Sequence, residues 1–288
     1  MTTPERPPDR QDVPPAARAR GPRFADPVSH TLGRILPPVG IGIAALAAWE
    51  VLVRAKEIPS YILPGPLLIL QTLVRDWGTL YPSLMVTVTI TVAALTVATV
   101  AGVAIAILFA QSKWIELSFF PYAVILQVTP VVAIAPLIII WVKNIQLSLL
   151  ICAWIVAFFP IISNTTLGLN STDHNLLSLF ELYGASRRQV FWYLRLPSAL
   201  PYFLGGLRIS GGLALIGAIV AEFVAGTGGI QSGLAYRILE SGYTLQIPRM
   251  FAALLMVTGT GILIFVVLTV VTHLALRRWH ESAVRREG

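Results

Sequence analysis

The sequence predicts an all-α, polytopic membrane protein of about six transmembrane helices, with both termini in the cytoplasm. Three observations predict it. Charged residues make up 12% of the 288 residues, about half the share usual in soluble proteins. Of the 21 basic and 14 acidic residues, only Glu50, Arg208 and Glu222 fall within six apolar spans at 35–53, 82–110, 118–141, 147–169, 203–226 and 250–276. Each span supplies the ~20 helical residues that cross a hydrocarbon layer about 30 Å thick. The runs are continuous rather than alternating, which excludes a β-barrel, and their number excludes a soluble core.

The basic residues set the orientation, because cytoplasmic loops carry the excess of Lys and Arg. With the N-terminus inside, fifteen basic residues lie on the cytoplasmic side and six outside. Topology thus accounts for the net charge of +7, and no nucleic-acid partner is expected. Trp114, Trp141 and Trp279 sit at span ends, where an amphipathic ring prefers the interface.

In chain order, residues 1–33 hold seven prolines and five arginines. This tail cannot bury enough apolar surface to offset its ordering entropy, so disorder is expected. The transmembrane domain covers 34–276, and 277–288 form a basic cytoplasmic tail. The first span is longer than a signal-peptide core and is read as an uncleaved helix. After it, Pro59, Pro64 and Pro66 precede an amphipathic stretch. There Leu67, Leu70, Leu73, Val74 and Trp77 recur at helical spacing, which predicts a short helix at the outer surface. Span two carries a row of small residues (Thr87, Thr91, Ala94, Ala98, Ala101), and span five another (Gly211, Ala214, Ala218, Ala221, Ala225). Such rows allow close helix approach in lipid, as packing seams or as walls of a moving gate.

Span three contains Pro121, Pro130 and Pro136, and proline breaks helical hydrogen bonding. Gln127, Thr129, Pro130 and Pro136 therefore form a candidate pathway wall near mid-membrane. Span four holds Pro160 and the lone Cys152, expected to be a small buried residue. Residues 227–248, Gly-rich and then polar, predict a short helix and a loop at the outer mouth. Glu222, also a candidate pathway residue, lies near the outer end of span five, where it reaches the interface or caps a turn.

Catalytic chemistry is not evident. None of the three lysines follows a glycine, so there is no Walker A phosphate loop. No metal motif and no nucleophile elbow occurs, so the chain is expected to be no enzyme and to hold no cofactor or metal. A gradient-driven carrier, the alternative, would need Glu222 or Glu50 to bind the coupling ion.

The long cytoplasmic stretch at 170–202 is the informative segment. It predicts two short amphipathic helices broken at Gly184, with Pro197 and Pro201 ending the element and redirecting the chain into span five. It exceeds what a connection requires and suits the docking of a soluble partner. Gly184, Leu194, Leu196 and Pro197 stand at the spacing of the Glu-Ala-Ala loop, so the segment resembles that of permease subunits of ATP-binding cassette importers. Ser178, Leu179 and Phe180 replace the Glu-Ala-Ala triplet itself. Leu63-Pro64-Gly65-Pro66, the Thr129-Pro130 to Pro136-Leu137 stretch, Gly184-Ala185-Ser186 and Ala221-Glu222 are similar to the branch serving nitrate, sulfonate, taurine, bicarbonate and thiamine precursors.

The resemblance implies a type I importer fold in the bacterial cytoplasmic membrane, working by alternating access. It implies two permease copies, two ATPase subunits that carry ATP and Mg, and a periplasmic or lipoprotein substrate-binding protein. It also implies an ATPase-coupling element formed by Glu181, Leu182, Tyr183, Gly184, Ala185, Ser186, Arg187 and Arg188 with Leu196 and Pro197.

Overall fold

The computed structural model describes residues 27–226 and 232–277, with side chains from residue 37 onward. The expectations for residues 1–26, for Gly228 and Gly229, for Trp279 and for the tail beyond Arg277 lie outside these. The described residues are helical throughout, joined by short turns.

The chain divides into two units at Val51 and Leu52. The first holds most of helix α1 (Pro27–Ala55), which begins ahead of the expected boundary at 33. Its window Pro37–Ala55 is long and apolar enough to cross a membrane, and Glu50 lies on it.

The second unit runs through α2 (Pro66–Arg75), α3 (Trp77–Gln111), α4 (Lys113–Val128), α5 (Val131–Val142) and α6 (Ile145–Asn170). It continues through α7 (His174–Leu182), α8 (Arg187–Val190), a π-helical turn (Phe191–Arg195), α9 (Leu196–Ala225), α10 (Leu234–Tyr243) and α11 (Ile247–Leu276). With Pro37–Ala55, helices α3, α6, α11 and the continuous stretch Arg187–Ala225 give five membrane-crossing helices, or six if the bent pair α4–α5 is one span.

The break falls at Pro130, one of the prolines that the sequence places in the third span. α4 and α5 meet at 98°, with Thr129 and Pro130 both extended. Pro130 pushes its predecessor out of the helical region and starts the next helix without an N–H.

Helix α6 is the centre of this unit, packing most extensively on α9 and then on α3. Small residues make this possible. Ala94, Ala98, Ala153, Ala157, Ala214, Ala218 and Ala221 are buried in two contiguous clusters. A Cβ on Gly217 would lie 2.8 Å from the Ala153 Cα, and one on Gly206 would lie 2.7 Å from the Pro160 carbonyl. In lipid, where no hydrophobic effect drives helices together, such backbone proximity supplies the dispersion contacts that do. Both rows of small residues serve as packing seams, and Cys152 is fully buried among them.

The short outer helix expected after the first span forms as α2. Ile69 and Thr72 are buried, whereas Leu67, Leu70, Val74 and Trp77 are exposed. α2 packs on α11, while its more apolar side faces outward. Pro197 and Pro201 differ from expectation, since neither ends the helical element. The π turn widens the ladder so that the Leu196 N–H donates to the Phe191 carbonyl. Pro197, lacking a donor, then falls in the first turn of α9, where proline is tolerated.

Candidate functional site

Two constructions stand out, one at each end of α9. The first is the segment from Asp173 to Pro197, at the end that the basic-residue count places inside. It has no core of its own, and neither α7 nor α8 contains a buried residue. Local hydrogen bonds hold its shape instead. The Asp173 carboxylate accepts from the Asn175 N–H at 2.8 Å and caps α7.

At the other end of α7 the chain turns through Gly184 at φ +68°. The Gly184 N–H donates to the Glu181 carbonyl at 3.0 Å, and the Ala185 N–H to the Phe180 carbonyl at 3.0 Å. This pair of bonds is a Schellman stop, which places its left-handed residue at this position. Ser186 then opens α8 with a capping box. Its hydroxyl accepts from the Gln189 N–H at 3.3 Å, and the Gln189 side-chain oxygen accepts from the Ser186 N–H at 2.7 Å. One longer bond ties the segment to the bundle, from Arg195 Nη1 to the Ala110 carbonyl at 3.3 Å.

The outcome is a surface with apolar groups turned outward. Leu176, Leu179, Leu182, Tyr183, Trp192 and Tyr193 are all exposed, Leu182 at 86%. Beside them is a groove of about 730 Å³ lined by Leu177, Glu181, Ala185, Arg187, Arg188, Phe191 and Arg195, with Ala110 and Gln111 at the end of α3. Exposed apolar side chains rimmed by arginines are the kind of surface that meets a protein partner or a membrane. Glu181, Leu182, Tyr183, Gly184, Ala185, Ser186, Arg187 and Arg188 are thus consecutive on one exposed turn. Leu196 and Pro197 stand behind it, at the root of α9.

The second construction is at the far end of α9. The Glu222 carboxylate is 3% exposed. Its Oε1 accepts from the Thr87 hydroxyl at 2.8 Å, and its Oε2 from the Ala235 N–H at 3.0 Å. The Leu234 N–H donates to Thr87 Oγ1 at 2.9 Å. Glu222 therefore caps α10 from another helix, in line with the expected turn cap. The residue before α10 is Gly233, and a Cβ there would collide with the carboxylate. Arg237 of α10 donates through Nε to Ser83 Oγ at 3.0 Å and pairs with Glu240 at 2.8 Å.

Close by in sequence, Asp76 at the α2–α3 junction accepts from Arg249 at 2.6 Å and from Arg75 at 3.2 Å. Burial alone would raise the Asp76 carboxyl, but the hydrogen bonds and charges of the two arginines hold it below its usual value.

The Glu222 carboxylate bonds to Thr87 and Ala235 rather than to the remaining pathway candidates. Gln127, Pro130 and Pro136 are exposed on the bent α4–α5 pair, and Thr129 is half-buried with its hydroxyl bonded back to the Ile125 carbonyl at 2.7 Å. Arg208 lies well within α9, its guanidinium 6.0 Å from the Phe265 ring centroid, a cation–π distance. Among the described residues no cluster of His, Cys, Asp and Glu could hold a metal ion.

Sequence reasoning missed Thr87 and Ala235, the hydrogen-bond partners of Glu222, which are 135 and 13 positions away from it. It also missed the caps at Asp173 and Ser186. The spacing Ser186-Arg-Arg-Gln189 is a legible capping-box signal. Nothing local marks Thr87, which the sequence shows only as one of a row of small residues.

A family model described as the binding-protein-dependent transport system inner membrane component matches residues 98–280. The chain is 32% identical over 231 residues to the formylaminopyrimidine transport permease protein ThiX of Halalkalibacterium halodurans, covering 80% of this chain and 90% of that one. It is 26% identical over 246 residues to the taurine transport system permease protein TauC of Escherichia coli, covering 83% and 85%. The crystal structure of an amino acid ABC transporter with histidines superposes with a TM-score of 0.58 at 18% identity. That match covers 72% of this chain and 97% of the other and supports the fold alone.

Proposed function

Since the chain belongs to the family of binding-protein-dependent transport system inner membrane components, and is a permease subunit of an ABC importer, we propose that its exposed Asp173–Pro197 segment is where separate ATPase subunits dock. One observation carries this reading. The segment's shape is held by its own cap hydrogen bonds while its apolar side chains stay uncovered. Ordering a surface costs conformational entropy, and this one recovers little of it through its own packing.

In the proposed cycle, the residues from Glu181 to Arg188 seat in an ATPase groove. Leu196 and Pro197 pass the movement into α9. ATP and Mg bind to the partner and not to this chain. Closure of the ATPases biases two states of the helix bundle, open alternately to either side. The chain works as a pair of like copies in the bacterial cytoplasmic membrane, in contact with its lipid. A periplasmic or lipoprotein binding protein delivers solute outside.

The surface around Gln127, Thr129, Pro130 and Pro136 forms the pathway wall with the second copy. That wall carries no charged side chain, which favours a small organic solute such as a pyrimidine or vitamin precursor. The taurine and sulfonate relatives favour a small anion as the second reading.

Reconstitution tests the proposal. The chain, its ATPase partner and the binding protein are placed in liposomes, and solute accumulation is followed with ATP inside. Uptake that requires all three components is expected, and binding-protein ligand screening then identifies the solute. Uptake that persists without the ATPase and collapses with an uncoupler would refute it.

A further inference from the structure

We propose that Glu222 is a positioning residue that fastens α10 to α3 and α9, making α10 and the ATPase-docking segment the two ends of one mechanical unit. The inference rests on the importer reading above. It begins with the cost of the arrangement. A carboxylate buried to 3% exposure is strongly destabilising unless hydrogen bonds replace its water. Here the replacements come from two other helices, the Thr87 hydroxyl of α3 and the Ala235 N–H of α10. The α10 N-terminus adds the favourable end of its dipole. Thr87 in turn accepts from the Leu234 N–H, so α10 cannot leave α9 without also leaving α3.

Separation would strand the carboxylate and two backbone donors together, which opposes any motion that parts these helices. Gly233 fits the same design, because any side chain there would enter the space held by the carboxylate. Arg237 bonded to Ser83 adds a second tie between α10 and α3.

The rest follows from continuity. Residues Arg187–Ala225 form one continuous helical stretch through the π turn, about 58 Å long at ~1.5 Å per residue. Its first turn carries Arg187 and Arg188, and its last turn carries Glu222. A displacement of the docking segment is thereby carried to α10 through the Glu222 fastening at the other end of α9. The far end of α10 is free to report it, since Tyr243 is 85% exposed.

The experiment uses the full chain assembled with its ATPase subunits in lipid nanodiscs. An environment-sensitive fluorophore is attached at Tyr243→Cys, where the buried Cys152 does not compete for label. ATP with vanadate is the probe. The parent complex is expected to hydrolyse ATP and to shift its emission on trapping. Glu222→Ala and Gly233→Ala are expected to lose at least half of that shift. Glu222→Gln, whose amide can accept from Ala235 and donate to Thr87, is expected to keep it.

A shift retained in Glu222→Ala overturns the proposal. So does a shift lost equally in Glu222→Gln, or a parent complex that hydrolyses ATP without any shift. Absence of ATP hydrolysis in the parent would instead sink the importer reading. Hydrogen exchange of segment 232–240 in the unmutated chain provides a check that needs no variant to fold. Slow exchange is expected both without nucleotide and in the trapped state, and fast exchange in either overturns the fastening.

Discussion

Replacing Gly184 by alanine isolates one physical quantity at the docking surface. A Cβ at this position meets no atom within 4 Å, so sterics contribute nothing. The whole cost is the left-handed backbone at φ +68°, about 1–2 kcal/mol for a residue with a side chain. Nothing nearby can absorb it, because α7 has no buried residue to anchor it. The ratio of turned to unturned forms therefore falls by about 5- to 30-fold, and affinity for the ATPase subunit falls by up to the same factor if only the turned form docks.

Asparagine enters the left-handed region more readily than other residues, so Gly184→Asn should recover much of the loss, whereas Gly184→Val should exceed alanine. Titration of the ATPase subunit against nanodisc-embedded chain measures the effect, with membrane insertion as the control. Alanine and valine variants that both bind within twofold of the parent would refute the reasoning.

Two further perturbations probe the bundle. Gly217→Ala puts a methyl 2.8 Å from the Ala153 Cα, whereas at Gly212 the same methyl meets nothing. Thermal unfolding in detergent should show Gly217→Ala destabilised by about 1–3 kcal/mol from overpacking and Gly212→Ala unchanged or raised by helix propensity. Equal shifts would contradict the packing account. Asp76→Asn should cost about 1–2 kcal/mol at pH 7 through its bonds to Arg249 and Arg75. Because the folded carboxyl is held below its usual value, its contribution is complete above about pH 5 and is lost as pH falls through the folded value. The gap between parent and variant melting temperatures should therefore stay constant from pH 7 down to about pH 5 and close in stronger acid, and a gap that widens in acid would refute the assignment.

The membrane-crossing helices are legible in the sequence because lipid tolerates almost no charge, and the few exceptions are visible one by one. The Asp173–Pro197 segment is legible because its geometry is local. Gly184, Ser186 and Gln189 act within a few residues of one another. Other features follow from forces that sequence pattern does not carry. The apolar stripe Leu67, Leu70, Leu73, Val74 and Trp77 predicts the short outer helix but does not say which side of it packs, and Ile69 and Thr72 are its buried residues. In a membrane, apolar surface has no need of protein cover, so hydrophobicity does not identify the packed side. Pro130 marks the break in span three, but its 98° angle depends on how α5 packs on α6 and α9. Glu222 is visible as a charge in an apolar span. Its meaning depends on Thr87, which only the tertiary fold brings within 2.8 Å.

The π turn at Phe191–Arg195 carries a consequence for register. Such a turn holds one residue more than the α-helical path would, and one residue corresponds to about 100° of rotation about the axis. The azimuth of Arg187 and Arg188 relative to the buried seam of α9 is therefore set by a residue count. Deleting a single position between 191 and 195 would restore an ordinary helix, leave every contact of α9 with α6 in place, and swing the arginine pair more than a quarter turn around the axis. Whether this segment meets its partner face-on is thus encoded as an insertion, a change that substitution alone cannot mimic.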